Sequence, residues 1–236
     1  MERALGISRK RAEEIKNPVF ILPLGSLEQH GNHLPLGTDT HIAEAIAEGV
    51  AQRIDGSVVL PALSITYSWS WKGIPFSLYV REGTLREVLK EIVGSSLPYS
   101  PRAFVVINAH LANESAMKYA ARDLYEELPG LNFFYFSYPP LDRFYRESEP
   151  SFTIHAEEIE TSIMLHIKPE LVDMSMAVRE YPDKPGAYGS KAMVLGKLSE
   201  SGSFGDPTVA SAEKGESYLS IMVDWVIEGL SSDGIR

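Results

Sequence analysis

Short apolar runs alternate with longer amphipathic stretches along this chain. Residues 19–22 (VFIL), 57–63, 102–107 (RAFVVI) and 131–137 (LNFFYFS) read as short buried strands. Between them, apolar residues recur at helical spacing. Ile42, Ala43, Ile46, Val50 and Ile54 mark a helix over 40–54. Further helices are predicted over 8–16, with Ser8 as its N-cap, and over 84–97, where Thr84 and Glu87 have the spacing of a capping box. Others follow over 112–128, 156–167 and 210–230, while 181–204 is rich in Gly, Ser, Pro and Lys and reads as partly irregular. Strands of about five residues alternating with helices of ten or more form βαβ units. The expected architecture is a largely parallel sheet covered on both faces, in one domain over 1–236.

Ligands of such sheets bind beyond the carboxyl ends of the strands. Two polar clusters follow predicted strands. The first, GSLEQHGNHLPLGTDTH over 25–41, holds three of the chain's six histidines beside Glu28 and Asp39. The second is NAHLANE over 108–114, and a third, HAEEIETS over 155–162, opens a helix. The chain has no cysteine, so a metal here needs His, Asp and Glu ligands. Glu28 and His30 are two apart, which puts both on one face of an extended segment. Asp39 returns after a loop with Pro35 and Gly37, His110 comes from the second cluster and Glu158 from the third. Five such ligands can hold two ions bridged by a carboxylate, the arrangement that activates water and polarises a carbonyl.

The other polar groups have plainer readings. Glu114 and Glu160 read as solvated or capping residues, Glu157 as a complement to the helix dipole, His166 as structural and His41 as a group that supports the ligands or lies on the surface. The net charge of −10 argues against nucleic acid, which a positive field recognises. No apolar stretch approaches a membrane span of roughly 20 residues, and the charged N-terminal segment lacks the apolar region of a signal peptide. A cytoplasmic protein without membrane contact is expected.

The stretch LPLGSLEQHGNHLPLGTDT resembles the signature of the creatininase family, of the form GSxEQHGxHLPLxTD. VVINAHLANE is similar to the family's VNGHGGN element, HAEEIETSIML to its HAGExETS element, and SGSFGDPTVASAEKGESYL to its GxxGDPxxAxxEKG segment. The four lie in order over residues 18 to about 230. The resemblance implies a three-layer α/β/α sandwich and a centre of two divalent ions, zinc or manganese with iron as a variant, that hydrolyses a non-peptide C–N bond, that of a small amide or cyclic amide. It matches Glu28, His30, Asp39 and His110 to metal ligands, with Asp39 as the bridge. Creatininase itself has a Glu two residues after the His of the second element. That position is Ala112 here, so Glu158 is the expected fifth ligand. His155 matches a proton donor or acceptor, with Glu158 beside it in the catalytic set, while His33 and Asn108 are expected to orient ligands. A small-molecule substrate and a homo-oligomer, tetramer or hexamer, are implied, with the aromatic stretches 67–71 and 138–145 as contact candidates.

Three departures fall in loops that shape the pocket. Leu111-Ala112 replaces Gly-Gly, Glu157 replaces the Gly of HAGE, and Trp71-Lys72 replaces a Glu-His pair. A substrate other than creatinine is therefore expected, with Tyr67, Trp69, Trp71 and Lys72 contacting it. Two branches of the family offer alternatives. One is a formamide hydrolase of flavin and deazaflavin precursor synthesis, whose phosphate Lys72 or Arg81 would meet. The other trims a peptide in mycofactocin maturation. A metal-binding but silent member, its pocket blocked by Leu111 and Ala112, is the reading from another class.

Overall fold

The computed structural model describes residues 1–144, 155–183 and 191–236. Among the described residues five parallel strands form one sheet: β1 (Glu2–Arg3), β2 (Val19–Leu24), β3 (Ser57–Val59), β4 (Ala103–Asn108) and β5 (Phe133–Phe136), in the order β1-β3-β2-β4-β5. The helices are α1 (Arg9–Glu14), α2 (Thr38–Ala51), α3 (Glu82–Ser96), α4 (Glu114–Glu127), α5 (Glu158–Ile167) and α6 (Ala212–Ser232).

The period-2 alternation of side chains builds two cores, one on each face of the sheet. Val19 and Ile21 of β2, with Ala103, Val105 and Ile107 of β4, pack under α2, α5 and α6. Leu22, Leu24, Phe104 and Val106 point the other way, onto Leu85, Leu89 and Val93 of α3 and Met117, Ala120 and Leu124 of α4. The predicted three-layer α/β/α sandwich is therefore the observed one.

Three local expectations change. The two-residue edge strand β1 is too short to carry a pattern. Thr84 lies inside α3, whose N-cap is Arg81 without a side-chain capping bond. The third strand stops at Val59. Ser8 caps α1 as expected, accepting from the Arg11 N–H. Tyr145 and residues 184–190 of the irregular stretch lie outside the described residues. Among the described residues no helix is long and apolar enough to cross a membrane.

The topology creates the site. After β2 the chain crosses to β3 on one side, then returns to β4 on the other, so the connections diverge between β2 and β4. Such a switch point opens a crevice at the strand ends. Leu24 pairs with Asn108 at the last rung, and the Ala109 N–H donates to the Leu24 carbonyl at 3.0 Å. The two polar loops thus leave the sheet side by side. Gly25 is needed there because a Cβ would stand 2.4 Å from the Thr40 backbone. That close approach brings the first turn of α2, with Asp39, against the end of β2.

Candidate metal centre

Glu28, His30, Asp39, His110, His155 and Glu160 converge in the crevice, all buried. Their ligand atoms form three groups: Glu28, Asp39 and His110; His30, Asp39 and Glu160; and Glu28, His30 and His155. The first two share Asp39, and each takes its own oxygen. Oδ1 is 3.0 Å from His30 Nε2, and Oδ2 is 2.9 Å from His110 Nδ1. Glu28 Oε2 lies 3.4 Å from His110 Nε2, and Glu160 Oε2 lies 3.9 Å from His30 Nε2.

Backbone carbonyls fix the histidine tautomers. A carbonyl only accepts, so the ring nitrogen facing it carries the proton. His30 Nδ1–H donates to the Glu28 carbonyl (3.2 Å) and His110 Nε2–H to that of Tyr67 (3.1 Å), while His155 Nε2 meets the Gln29 carbonyl at 2.6 Å, the shorter contact, and the Gln29 side-chain amide nitrogen at 3.0 Å. The remaining nitrogen of His30 and of His110 is thereby turned, as a lone pair, onto a carboxylate oxygen. Acceptor facing acceptor repels unless a proton or a metal cation lies between them. Two ligands about 2.0–2.1 Å from one tetrahedral ion stand roughly 3.3 Å apart, close to the spacings here. In addition, Glu28 Oε1 is buried with no hydrogen-bond partner. The residues fit a pair of divalent cations.

The electrostatics point the same way. Burial opposes the charged form of His30, but Asp39, Glu160 and Glu28 outweigh it and raise its pKa to about 10. His110 is likewise raised to about 9 against burial, by Glu28 and Asp39. Burial lifts Glu160 to about 8, above what His30 can offset. Without metal, protons supply the positive charge these carboxylates need.

A pH dependence follows for metal-free protein. A histidine raised in the folded state stabilises fully below its unfolded pKa, about 6.5, and that contribution is lost as pH rises toward 9 or 10. Glu160, and Glu157 with its pKa raised by burial to about 7, act in the same direction above their unfolded range. His33 (about 4) and His155 are lowered, chiefly by burial and next by His30, so their contributions are complete by about pH 6.5. The Tm of metal-free protein is expected to fall from pH 6.5 to 9.5, by about 3–5 °C per pH unit for each net proton. Added zinc should flatten the slope. A metal-free Tm that rises across this window would contradict the charge balance described.

Glu158 is a correction. Its Oε1 accepts from Lys214 Nζ at 2.6 Å and from the Tyr218 hydroxyl at 3.2 Å, so it ties α5 to α6. Two helical residues rotate a side chain by about 200°, so Glu158 and Glu160 leave α5 on opposite faces. Glu160 is the one turned to the centre, where its Oε2 also accepts from the Ala156 N–H at 2.6 Å. Proximity to His155 along the chain does not decide which carboxylate faces the centre; the rotation within α5 does.

The remaining expectations divide. His33 Nε2 contacts Thr161 Oγ1 at 2.9 Å and pins the first loop to α5. Asn108 accepts from the His110 N–H and donates to the His110 carbonyl (3.2 and 2.8 Å), holding the second loop. Sequence reasoning missed Ser26, which donates to Asp39 Oδ2 at 2.8 Å, and Ser68, which donates to Glu28 Oε2. A serine carries no signal that separates these contacts from ordinary turns.

A cavity of about 550 Å³ opens over the carboxylates, lined also by Trp71, Leu111, Ala112, Tyr138, Glu157 and Leu195. Trp71 is buried and stacks on His155 at 4.3 Å. Leu111 and Ala112 stand in the wall without filling the space. Trp69 and Tyr67 line an adjoining groove that shares Ser70 and Leu195 with the cavity. Lys72 and Arg81 are exposed and line neither, and among the described residues no Lys or Arg lines the cavity. Lys72 lies one residue beyond Trp71, the residue the short 3-10 turn buries, and so stands outside the cavity wall.

The family model described as creatinine amidohydrolase matches residues 7–230. The chain belongs to the creatininase family. A mycofactocin precursor peptide peptidase of Mycolicibacterium smegmatis is 31% identical over 227 residues, covering 93% of this chain and 87% of that protein. The creatinine amidohydrolase of Pseudomonas putida is 27% identical, covering 91% and 89%. A solved mutant creatininase of Zn-Zn type superposes with a TM-score of 0.82 at 25% identity, covering 98% and 97%. The chain is a hydrolase of this family with buried groups suited to metal.

Proposed function

We propose that the protein is a divalent-metal-dependent amidohydrolase that cleaves the C–N bond of a small amide or cyclic amide without a phosphate. The observation that carries this is the set of carbonyl-fixed histidines whose lone pairs meet buried carboxylates across about 3 Å. Glu28, Asp39 and His110 would hold one ion, and His30, Asp39 and Glu160 the other, with Asp39 as the bridge. Each set offers one imidazole and two carboxylates, a mixed nitrogen and oxygen donor set that zinc and manganese both accept. When bound, the ions acidify water and polarise a carbonyl.

The protein's own groups handle the proton. Burial, and next the charge of His30, keep the His155 imidazole neutral. Its Nε2–H is held by the Gln29 carbonyl, and its ring is braced by Trp71. The Nδ1 lone pair, 3.6 Å from Glu28 Oε1, takes a proton from the attacking water and passes it to the leaving nitrogen. Trp71, Leu111 and Leu195 exclude solvent around a flat or apolar substrate body.

The carboxylate-rich cavity wall disfavours a phosphate over the centre, while a basic group, Lys191, lines the adjoining groove. A phosphate there would face Glu28, Asp39, Glu157 and Glu160. The open cavity disfavours a silent module. The similarity to a peptide peptidase makes a terminal peptide amide the neighbouring substrate class, and the groove past Ser70 offers it room.

Purified protein should hydrolyse at least one member of a panel of formamides, cyclic amides and terminal peptide amides. Chelation should abolish that activity, and zinc or manganese should restore it. Equal hydrolysis by chelated, metal-free protein would refute the metal reading.

A further inference from the structure

We propose that the Tyr138 hydroxyl is a catalytic hydrogen-bond donor to the substrate oxygen on which negative charge develops. The inference rests on the hydrolase reading above and adds a residue to it. Tyr138 follows β5 by two residues, at the same carboxyl end of the sheet as both metal loops. Its ring packs against the core beneath α6, and its hydroxyl is buried with no hydrogen-bond partner. Yet Tyr138 lines the cavity over Glu28, Asp39, His110, His155 and Glu160. Its backbone position is held by the preceding residue, because Ser137 Oγ accepts from Asn108 Nδ2 at 2.9 Å, and Asn108 also holds the His110 loop. The phenol and the second metal loop are thus one braced unit.

An orphaned buried O–H is costly to the free protein, so a ligand that satisfies it gains by contact. The wall is rich in acceptors. Four carboxylates line the cavity, and His155 presents a lone pair. A substrate carbonyl, itself an acceptor, needs a donor among them. Burial, then Glu160, Asp39 and Glu157, push the Tyr138 phenol well above its ordinary range. It stays protonated at working pH and donates. A donor fixed before the reaction gives more to a developing oxyanion than to a neutral carbonyl.

The test uses zinc-reconstituted protein and acetohydroxamate, a small oxyanion probe for such a centre. Zinc content and probe affinity are measured for the wild type, for Tyr138→Phe and for Tyr125→Phe, a surface control. Tyr138→Phe is expected to keep its zinc and to bind the probe about 10- to 100-fold more weakly. The wild type should also show a probe-induced tyrosine ultraviolet difference band that Tyr138→Phe lacks and Tyr125→Phe retains. Full zinc with unchanged affinity in Tyr138→Phe overturns the assignment and leaves the hydrolase reading standing. Zinc without probe binding in the wild type removes the oxygen position and overturns the assignment alone. A wild type that takes up no zinc overturns the hydrolase reading, and this inference with it. With a turned-over amide from the panel, the loss in Tyr138→Phe should fall on kcat rather than KM, by about 10²- to 10³-fold.

Discussion

Asp39→Ala is expected to purify with neither ion, where the wild type carries about two per chain, and to lose hydrolysis by about 10³-fold or more. That loss corresponds to at least ~4 kcal/mol of transition-state stabilisation. Asp39 is the residue common to the two groups that would hold the ions, with one oxygen toward His30 and the other toward His110. Removing it leaves each remaining set with two ligands. It also takes away the negative charge that, with its neighbours, raises both histidines. Ser26, which now donates to Oδ2, would turn to solvent or to the vacated space. Glu28→Ala, by contrast, leaves the set of His30, Asp39 and Glu160 whole and should retain about one ion. Elemental analysis of the three proteins measures this directly. Full metal content in Asp39→Ala would sink the shared-ligand arrangement.

Much of this was legible in the sequence, for physical reasons that differ by residue. The sheet was legible because strands buried on both faces appear as continuous apolar runs. Glu28, His30 and Asp39 were legible because they crowd into one loop after such a run, where the strand end must open into a crevice. His110 followed because β4 pairs in register with β2, which carries its loop to the same place. Glu160 was not legible to a reading that took HAEE as the unit, because the helical rotation between Glu158 and Glu160 decides which carboxylate faces the sheet. The place of Lys72 outside the cavity was not legible for a similar reason: a 3-10 turn buries Trp71 and leaves its neighbour exposed. Tyr138 was visible only as part of an aromatic run. Its meaning lies in an unpartnered hydroxyl, which a sequence does not display.

The two glutamates of α5 give the second large effect, and they separate metal binding from stability. Glu160→Gln keeps the shape of the side chain but removes the charge facing His30. It should lose about one ion per chain and most hydrolysis, with the fold intact. Its Tm in the metal-free state should hold or rise, because burial already disfavours the Glu160 carboxylate. Glu158→Gln should do the reverse. It leaves Lys214 beside a neutral amide at the junction of α5 and α6, where packing is so close that a Cβ on Gly215 would stand 1.9 Å from the Ser162 carbonyl oxygen. Breaking a buried pair from one side costs about 3–5 kcal/mol. Lys214 is partly exposed, so about 2–3 kcal/mol is expected, a fall in Tm of roughly 4–12 °C. The metal content of Glu158→Gln should stay at two, since its carboxylate faces away from the centre. Thermal melts and elemental analysis of both variants read the crossing. If Glu158→Gln lost metal while Glu160→Gln kept it, the face of α5 assigned to the centre would be the wrong one.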